Sequence, residues 1–171
     1  MWASNKKVKR IGILSDTHGW WDDRYIQYFK DCDEIWHAGD IGSEELIDRL
    51  AAIAPVRAVT GNIDGGILRR RFRDMEIFTV EGVKVLLTHI GGYPGRYAPG
   101  IKSLLLAEQP QLLVCGHSHI LKVVNDKWLG TLTINPGAAG RQGWQTVRTL
   151  VLLTLDQGAP TGCEVVELAD K

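Results

Sequence analysis

Residues 111–119 read Gln-Leu-Leu-Val-Cys-Gly-His-Ser-His, an unbroken apolar run that ends in two histidines one residue apart. A continuous run such as Leu112-Leu113-Val114 suits a strand covered on both faces, as in sheets packed between other layers. Two imidazoles at the end of such a strand need a shared partner, because buried polar groups without one cost about 1–3 kcal/mol each. The whole chain has only five histidines among 171 residues. In an extended backbone residues i and i+2 face the same side. That geometry predicts His117 and His119 pointing into one site and Ser118 pointing away. Cys115 reads as a buried, inert thiol, and Gly116 as the point where the strand turns sharply out.

Working outward, four other strand-like runs end the same way. "RIGILS" leads into Asp16-Thr17-His18, "EIWHA" into Gly39-Asp40, "VRAVT" into Gly61-Asn62, and "VLLT" into His89. In open α/β sheets, ligands bind beyond the carboxyl ends of the strands. Asp16, His18, Asp40, Asn62, His89, His117 and His119 are therefore candidates for one common site. Carboxylate, imidazole and amide oxygen together suit borderline divalent cations. Seven side chains are too many for one ion with an open position. With one carboxylate shared, they divide into two four-ligand sites. Two such ions about 3.5–4 Å apart can clamp a phosphoryl group and hold a hydroxide nucleophile.

The rest of the chain supplies the scaffold. "DDRYIQYFKDC", "SEELIDRLAAI" and "GIKSLLLAEQ" read as helices, the second opened by Ser43 as N-cap with acidic residues in its first turn. Glu81-Gly82 between "MEIFTV" and "VKVLLTH" reads as a hairpin turn. The first half alternates βαβαβ and the second half is strand-rich, so a layered α/β domain with its strands inside is expected. Length and 44% hydrophobic content fit one domain over residues 1–171.

Twenty basic and twenty acidic residues give a formal net charge of zero. There is no global positive field of the kind that marks nucleic-acid or membrane-surface binders. Three scattered cysteines form no CxxC pair and argue against a disulfide framework. The apolar run near the N-terminus, "IGIL", is too short for a signal segment or a membrane span. A cytoplasmic protein is expected, with "KKVKR" as a solvated lead-in to the first strand. Oligomeric state is not legible, and a homo-oligomer is compatible with the sequence.

The ordered pieces D-x-H, G-D, G-N, H and G-H-x-H resemble those of the calcineurin-like metallophosphoesterases. "ILSDTHG", "GNID", "LLTHI" and "INPGA" are most similar to its small bacterial and archaeal phosphodiesterase branch, over about residues 8–168. The resemblance implies a four-layer α/β/β/α sandwich around a binuclear centre. On the matching positions Asp16, His18, Asp40 and His119 hold one ion. Asp40, Asn62, His89 and His117 hold the other, with Asp40 bridging and Asn62 using its side-chain oxygen. It further implies hydrolysis of small phosphodiesters, with phosphomonoesters as the second substrate class, by a metal-bridging hydroxide. Asp40, Asn62 and His89 are the residues assigned to catalysis. The cofactor is two divalent ions, manganese first, with iron, zinc, nickel or cobalt as alternatives. The same fold also serves as a scaffold subunit of retromer, with altered residues at the G-D and G-N positions. Asp40 and Asn62 follow the catalytic pattern, which favours an enzyme over a scaffold. Many relatives carry a histidine directly after G-N and a second one in H-G-H. Here those positions are Ile63 and Gly91. Both are candidate general acids that this chain lacks, so dependence on good leaving groups is expected.

Around these ligands the sequence leaves several readings open. His37 reads as a sheet histidine beneath the site. Asp64 reads either as support for a ligand or as a turn cap. Arg69, Arg70, Arg71 and Arg73 read as a solvated edge rather than a phosphate grip. Trp20 and Trp21 either stack on a substrate or pack a helix. Tyr93, Arg96 and Tyr97 are substrate contacts or structural groups, and Asn135-Pro136-Gly137 shapes the pocket.

Overall fold

A computed structural model describes residues 8–170. Lys6 and Lys7 of the basic lead-in lie outside the described residues. The chain runs β1 (Lys9–Leu14), α1 (Arg24–Phe29), β2 (Glu34–His37), α2 (Glu44–Ala51), β3 (Val56–Ala58) and α3 (Gly66–Arg71). It continues through β4 (Met75–Val80), β5 (Val83–Thr88), β6 (Gly92–Tyr93), β7 (Arg96–Tyr97) and α4 (Ile101–Glu108). The last part is β8 (Leu112–Val114), β9 (Leu121–Asp126), β10 (Thr131–Pro136), β11 (Val147–Asp156) and β12 (Ala159–Asp170).

Period-two alternation along the central strands sorts their side chains between layers. Ile11 and Ile13 of β1 and Trp36 of β2 face one apolar cluster, while Leu14 and Ile35 face another. In the second sheet Val85, Leu87, Leu112 and Val114 join the first of these clusters, and Leu86 and Leu113 face away from it. The shared cluster is thus the core between two sheets. One sheet has the order β12-β11-β1-β2-β3 and the other β4-β5-β8-β10-β9. Helices α1 and α2 pack on the outer face of the first sheet through Tyr25, Phe29, Leu46 and Leu50. Helix α4 packs on the outer face of the second through Ile101 and Leu105. The result is the α/β/β/α sandwich. No helix among the described residues is long and apolar enough to cross a membrane.

β1, β2 and β3 run parallel, as do β5 and β8. Their carboxyl ends carry the candidate ligands. Local chemistry sets the boundaries. Ser43 accepts the Leu46 N–H at 3.3 Å and starts α2. Glu81 and Gly82 take φ of 48° and 77°, the left-handed pair that a two-residue hairpin turn requires between β4 and β5. Two elements depart from expectation. The arginine-rich stretch forms the short helix α3, and "GGYPGRYAPG" holds the small β6–β7 hairpin.

Gly12 marks the closest approach of α1 to its sheet, since a Cβ there would overlap the Phe29 ring. We expect Gly12→Ala to lower stability by about 1–3 kcal/mol in urea denaturation. Adding Phe29→Leu should recover part of that loss, so the double variant is less destabilised than the sum of the two single ones.

Candidate metal centre

The first three ligand-bearing loops are stitched together by backbone hydrogen bonds. The Asp16 N–H donates to the Gly39 carbonyl and the His18 N–H to the Asp40 carbonyl, each at 3.0 Å. In the other sheet the Gly116 N–H donates to the His89 carbonyl at 2.9 Å. The His117 N–H donates to Asp16 Oδ2 at 3.0 Å and joins the two halves. Gly61 is required where the loops touch, because a Cβ there would run into Asp40.

His117 and His119 both reach the cluster, but not by strand alternation. β8 ends at Val114, and the two histidines take φ of 70° and 60°. Asp16, His18 and Asp40 are also left-handed, at 54°, 46° and 53°. Left-handed backbone costs a non-glycine residue about 1 kcal/mol or more, and its concentration at one site points to function. The loops curl to bring side chains inward that an extended strand would splay apart.

All seven predicted ligands converge. His119 Nε2 lies 3.1 Å from Asp16 Oδ1, and His18 Nε2 lies 4.0 Å from the same oxygen. Asp40 Oδ2 lies 3.6 Å from His18 Nε2 and 3.3 Å from His89 Nε2. Asn62 Oδ1 stands 3.0 Å from His89 Nε2 and 3.1 Å from His117 Nδ1. Each carboxylate uses one oxygen for the protein and aims the other inward. Asp16 Oδ2 accepts from Ser15 Oγ and the His117 N–H, and Asp40 Oδ1 accepts from the Ile63 N–H. Asp16 Oδ1 and His18 Nε2 are buried with no hydrogen-bond partner. A buried carboxylate oxygen and ring nitrogen left open toward one another fit a cation between them. Among the described residues, two groups have ligand atoms close enough to hold an ion, Asp16-His18-His119 and Asp16-Asp40-His89.

The surroundings orient these ligands. His89 Nδ1 is 2.7 Å from the Ala38 carbonyl and His119 Nδ1 is 3.0 Å from Gln145 Oε1. A proton on each Nδ1 leaves Nε2 turned to the cluster as a lone pair. Asp64 is buried and accepts three backbone N–H groups, from Ile41, Gly42 and Gly61. It clamps the loops after β2 and β3 through these backbone groups. Arg69 closes the same loop by donating to the Asp64 and Gly61 carbonyls and pairing with Asp74. The arginine cluster is therefore partly structural, with Arg71 paired to Asp48. Asn135 donates to the Gly116 carbonyl and to Ser118 Oγ, bracing the 116–118 turn from behind. Gln145 carried no local sequence signal, since it meets His119 only through the fold.

The two tryptophans divide. Trp21 packs on Tyr25 below the guanidinium of Arg49, whereas Trp20 is exposed with Arg141 stacked 4.0 Å from its ring centre. Tyr97 is tied to Asp126 by a 2.8 Å hydrogen bond, and burial together with that carboxylate pushes its hydroxyl up to about 12. Cys115 is buried, and burial pushes its thiol up to about 12, as fits an inert packing residue.

Charge compensation runs through the centre. Burial acts to raise Asp16, but the nearby His119 ring and the Ser15 hydroxyl outweigh it and hold the carboxyl below its ordinary value. Burial likewise opposes ionisation of Asp40, and its contacts with His89 and the Ile63 N–H prevail. Burial works to lower His89, but Asp40 and Asp16 hold it above its ordinary value, and Asp16 raises His119. The same lone pairs and negative charges serve a proton or a metal ion.

Comparison with known proteins decides the family. The family model for the calcineurin-like phosphoesterase superfamily domain matches residues 10–158. The chain belongs to that superfamily. A Methanothermobacter thermautotrophicus protein named "probable metallophosphoesterase" is 32% identical over 137 residues, covering 75% of this chain and 76% of its own. Among solved structures, a novel archaeal phosphodiesterase superimposes with a TM-score of 0.72 at 23% identity, covering 93% of this chain and 99% of its own. A wild-type Vps29 of Entamoeba histolytica complexed with zinc gives 0.69 at 18% identity, covering 92% and 98%. The superfamily binds divalent metals, and the Asp/His groups of this chain are able to hold them.

His37 lies beneath the centre as expected. It is fully buried, accepts the Gly39 N–H on Nδ1, and bonds Thr17 Oγ1 through Nε2 at 2.9 Å. Burial lowers its pKa to about 4. Between about pH 6.5 and 4 the unfolded chain therefore binds the extra proton, and stability falls as pH falls. His89 and His119, being raised, lose their contribution only as pH rises above about 6.5, so they leave this window flat. Metal-free protein should lose about 1–3 kcal/mol from pH 6.5 to 4 through His37. His37→Gln should flatten that slope in urea titrations at successive pH values.

Proposed function

We propose that this chain, acting as one domain over residues 1–171, hydrolyses phosphodiesters with two divalent metal ions. The observation that carries the reading is the pair of orphaned buried atoms, Asp16 Oδ1 and His18 Nε2, at the centre of seven converging ligands. Asp16, His18, Asp40 and His119 would hold one ion. Asp40, Asn62, His89 and His117 would hold the other. Asp40 is the better bridge because its Oδ2 reaches one histidine of each set, 3.6 Å from His18 and 3.3 Å from His89, whereas the short contact of Asp16 Oδ1 is to His119 of the first set, at 3.1 Å. When bound, such ions supply Lewis acidity toward a phosphoryl oxygen and acidify water at neutral pH. Manganese is our first choice among the divalent ions that accept nitrogen and oxygen ligands, with iron, zinc, nickel and cobalt as alternatives.

The chain's own residues position and desolvate. Asn62 and His117 are exposed, so the second ion's side is where substrate enters. His89, buried and fixed through Ala38, holds its Nε2 against Asp40 and Asn62. Ile63 and Ile90 are about half exposed beside the ligands and present no proton donor. Gly91 is closed off by contact with Cys115. The leaving group must then depart without help from these two positions. The archaeal phosphodiesterase of the same fold supports diesters over monoesters. The likeness to Vps29 supports a second reading, a protein-binding scaffold. Metal loading alone does not separate the two readings, since the zinc-bound Vps29 shares the fold.

Metal analysis should find about two ions per chain, and added manganese should drive release of p-nitrophenolate from bis(p-nitrophenyl) phosphate. Asp40→Ala should lose metal and reduce the rate by roughly 10²-fold or more, since even groups that only orient ligands cost 10–100-fold. Bound metal without any hydrolysis would leave the scaffold reading standing. Across aryl diesters of rising leaving-group pKa the rate should fall steeply, because a general acid is worth roughly 10²–10⁴-fold. A flat dependence would show that another group donates the proton.

A further inference from the structure

A cavity of about 250 Å³ opens beside His117, between the β6–β7 hairpin and the start of β9. Ile90, Tyr93 and Ile120 give it apolar walls, and Arg96 and Lys122 add two cations. Tyr93 and Arg96 face each other across the hairpin. Lys122 Nζ sits 3.5 Å from the centre of the Tyr93 ring, so the three side chains form one wall. Neither cation makes an ion pair among the described residues. Other cations near the centre behave differently. Arg69 is paired to Asp74, Arg71 to Asp48, and Arg148 to Asp22. In a chain of zero net charge, two cations without a carboxylate partner over one pocket make its field locally positive. The volume falls below the roughly 300 Å³ at which pockets begin to hold a whole small ligand. It fits one arm of a diester.

We propose that this pocket binds an arm of the substrate carrying a second phosphate, set apart from the phosphate at the metal centre. Arg96 and Lys122 take the second phosphate, and Ile90, Ile120 and Tyr93 take the organic part between. Arginine suits a terminal phosphate because its fork donates two parallel hydrogen bonds. The substrate class is then a small bisphosphate-like diester, for example a nucleotide bearing both a phosphodiester and a terminal phosphate. The inference rests on the phosphodiesterase reading for its catalytic arm only.

The test compares thymidine 3′-(p-nitrophenyl phosphate) with its 5′-phosphorylated form on manganese-loaded protein. The 5′-phosphate should raise kcat/KM by about 10–100-fold, mainly through KM. In Arg96→Gln/Lys122→Gln the ratio of the two substrates should fall to about one. A wild-type ratio near one overturns the proposal, as does a ratio that survives the substitutions. Equal losses on both substrates also overturn it, since the cations would then grip the scissile phosphate. Calorimetric binding of thymidine 3′,5′-bisphosphate against thymidine 3′-phosphate gives a readout that needs no turnover. Preference for the bisphosphate, lost in the double variant, supports the pocket even if no diester is cleaved, and that result would reject only the catalytic reading. Equal binding of both ligands rejects the pocket. Arg96 is exposed and outside the core, so Arg96→Gln alone provides a folded control in which the preference should be partly lost.

Discussion

Asp16 is fully buried, and its burial organises the site. A carboxylate withdrawn from water costs several kcal/mol unless its oxygens are met by donors or cations. Here Oδ2 is met by Ser15 and the backbone of His117, and Oδ1 is left facing three imidazoles. The hydrogen bond from His117 crosses from one sheet to the other, because Asp16 follows β1 and His117 follows β8. The two sheets must therefore keep their relative placement for the carboxylate to be tolerable. The apolar cluster between them, from Ile11 and Trp36 to Val85 and Val114, provides that rigidity.

A second constraint follows from the backbone. Five of the seven candidate ligands lie in left-handed φ, where a side chain leaves the chain at an angle that neither strand nor helix allows. Neighbouring residues hold those conformations in place. Asp64 gathers three N–H groups from two loops, Arg69 returns two donors to the same turn, and Asn135 fixes the turn at 116–118. The loop after β10 adds the Ala139 N–H to the Ser15 carbonyl and the Gly140 N–H to the Asp16 carbonyl. None of these groups touches the open atoms at the centre. They determine whether the seven candidate ligands meet.

What was legible in the sequence follows from this division. Asp16, His18, Asp40, Asn62, His89, His117 and His119 stood out because polar ligands at the ends of apolar strands violate the usual burial pattern. The layered fold was legible because its strands are strongly apolar and their turns use Glu-Gly, Ser and Gly where local rules demand them. Strand alternation does not explain His117 and His119, because both lie beyond the end of β8 in left-handed φ, and φ is not written in residue type when the residue is histidine. Gln145 and Asn135 were not legible as supports of ligands, because each acts through a contact more than fifteen residues away in sequence. Arg69 was read as solvated because the short helix that presents it begins at a Gly-Gly pair with no side-chain cap.

The strain and burial at this centre also bear on how it responds to metal. Five left-handed residues at about 1 kcal/mol each, with a buried carboxylate oxygen unsatisfied, are large against the 5–15 kcal/mol by which a domain of this size exceeds its unfolded state. The surrounding hydrogen bonds offset that cost without removing its source, because Asp16 Oδ1 and His18 Nε2 stay open. A divalent cation held by these residues would satisfy both atoms and offset the repulsion between the neighbouring carboxylates. Its binding free energy then adds to folding stability, growing as the logarithm of its concentration over its dissociation constant. The features that make the centre expensive to fold are those that make it selective for being filled. The His/Asp charge balance sets the competitor. The negative charges that hold His89 and His119 above their ordinary pKa favour a proton as well as a cation, so an ion entering this site would compete with protons.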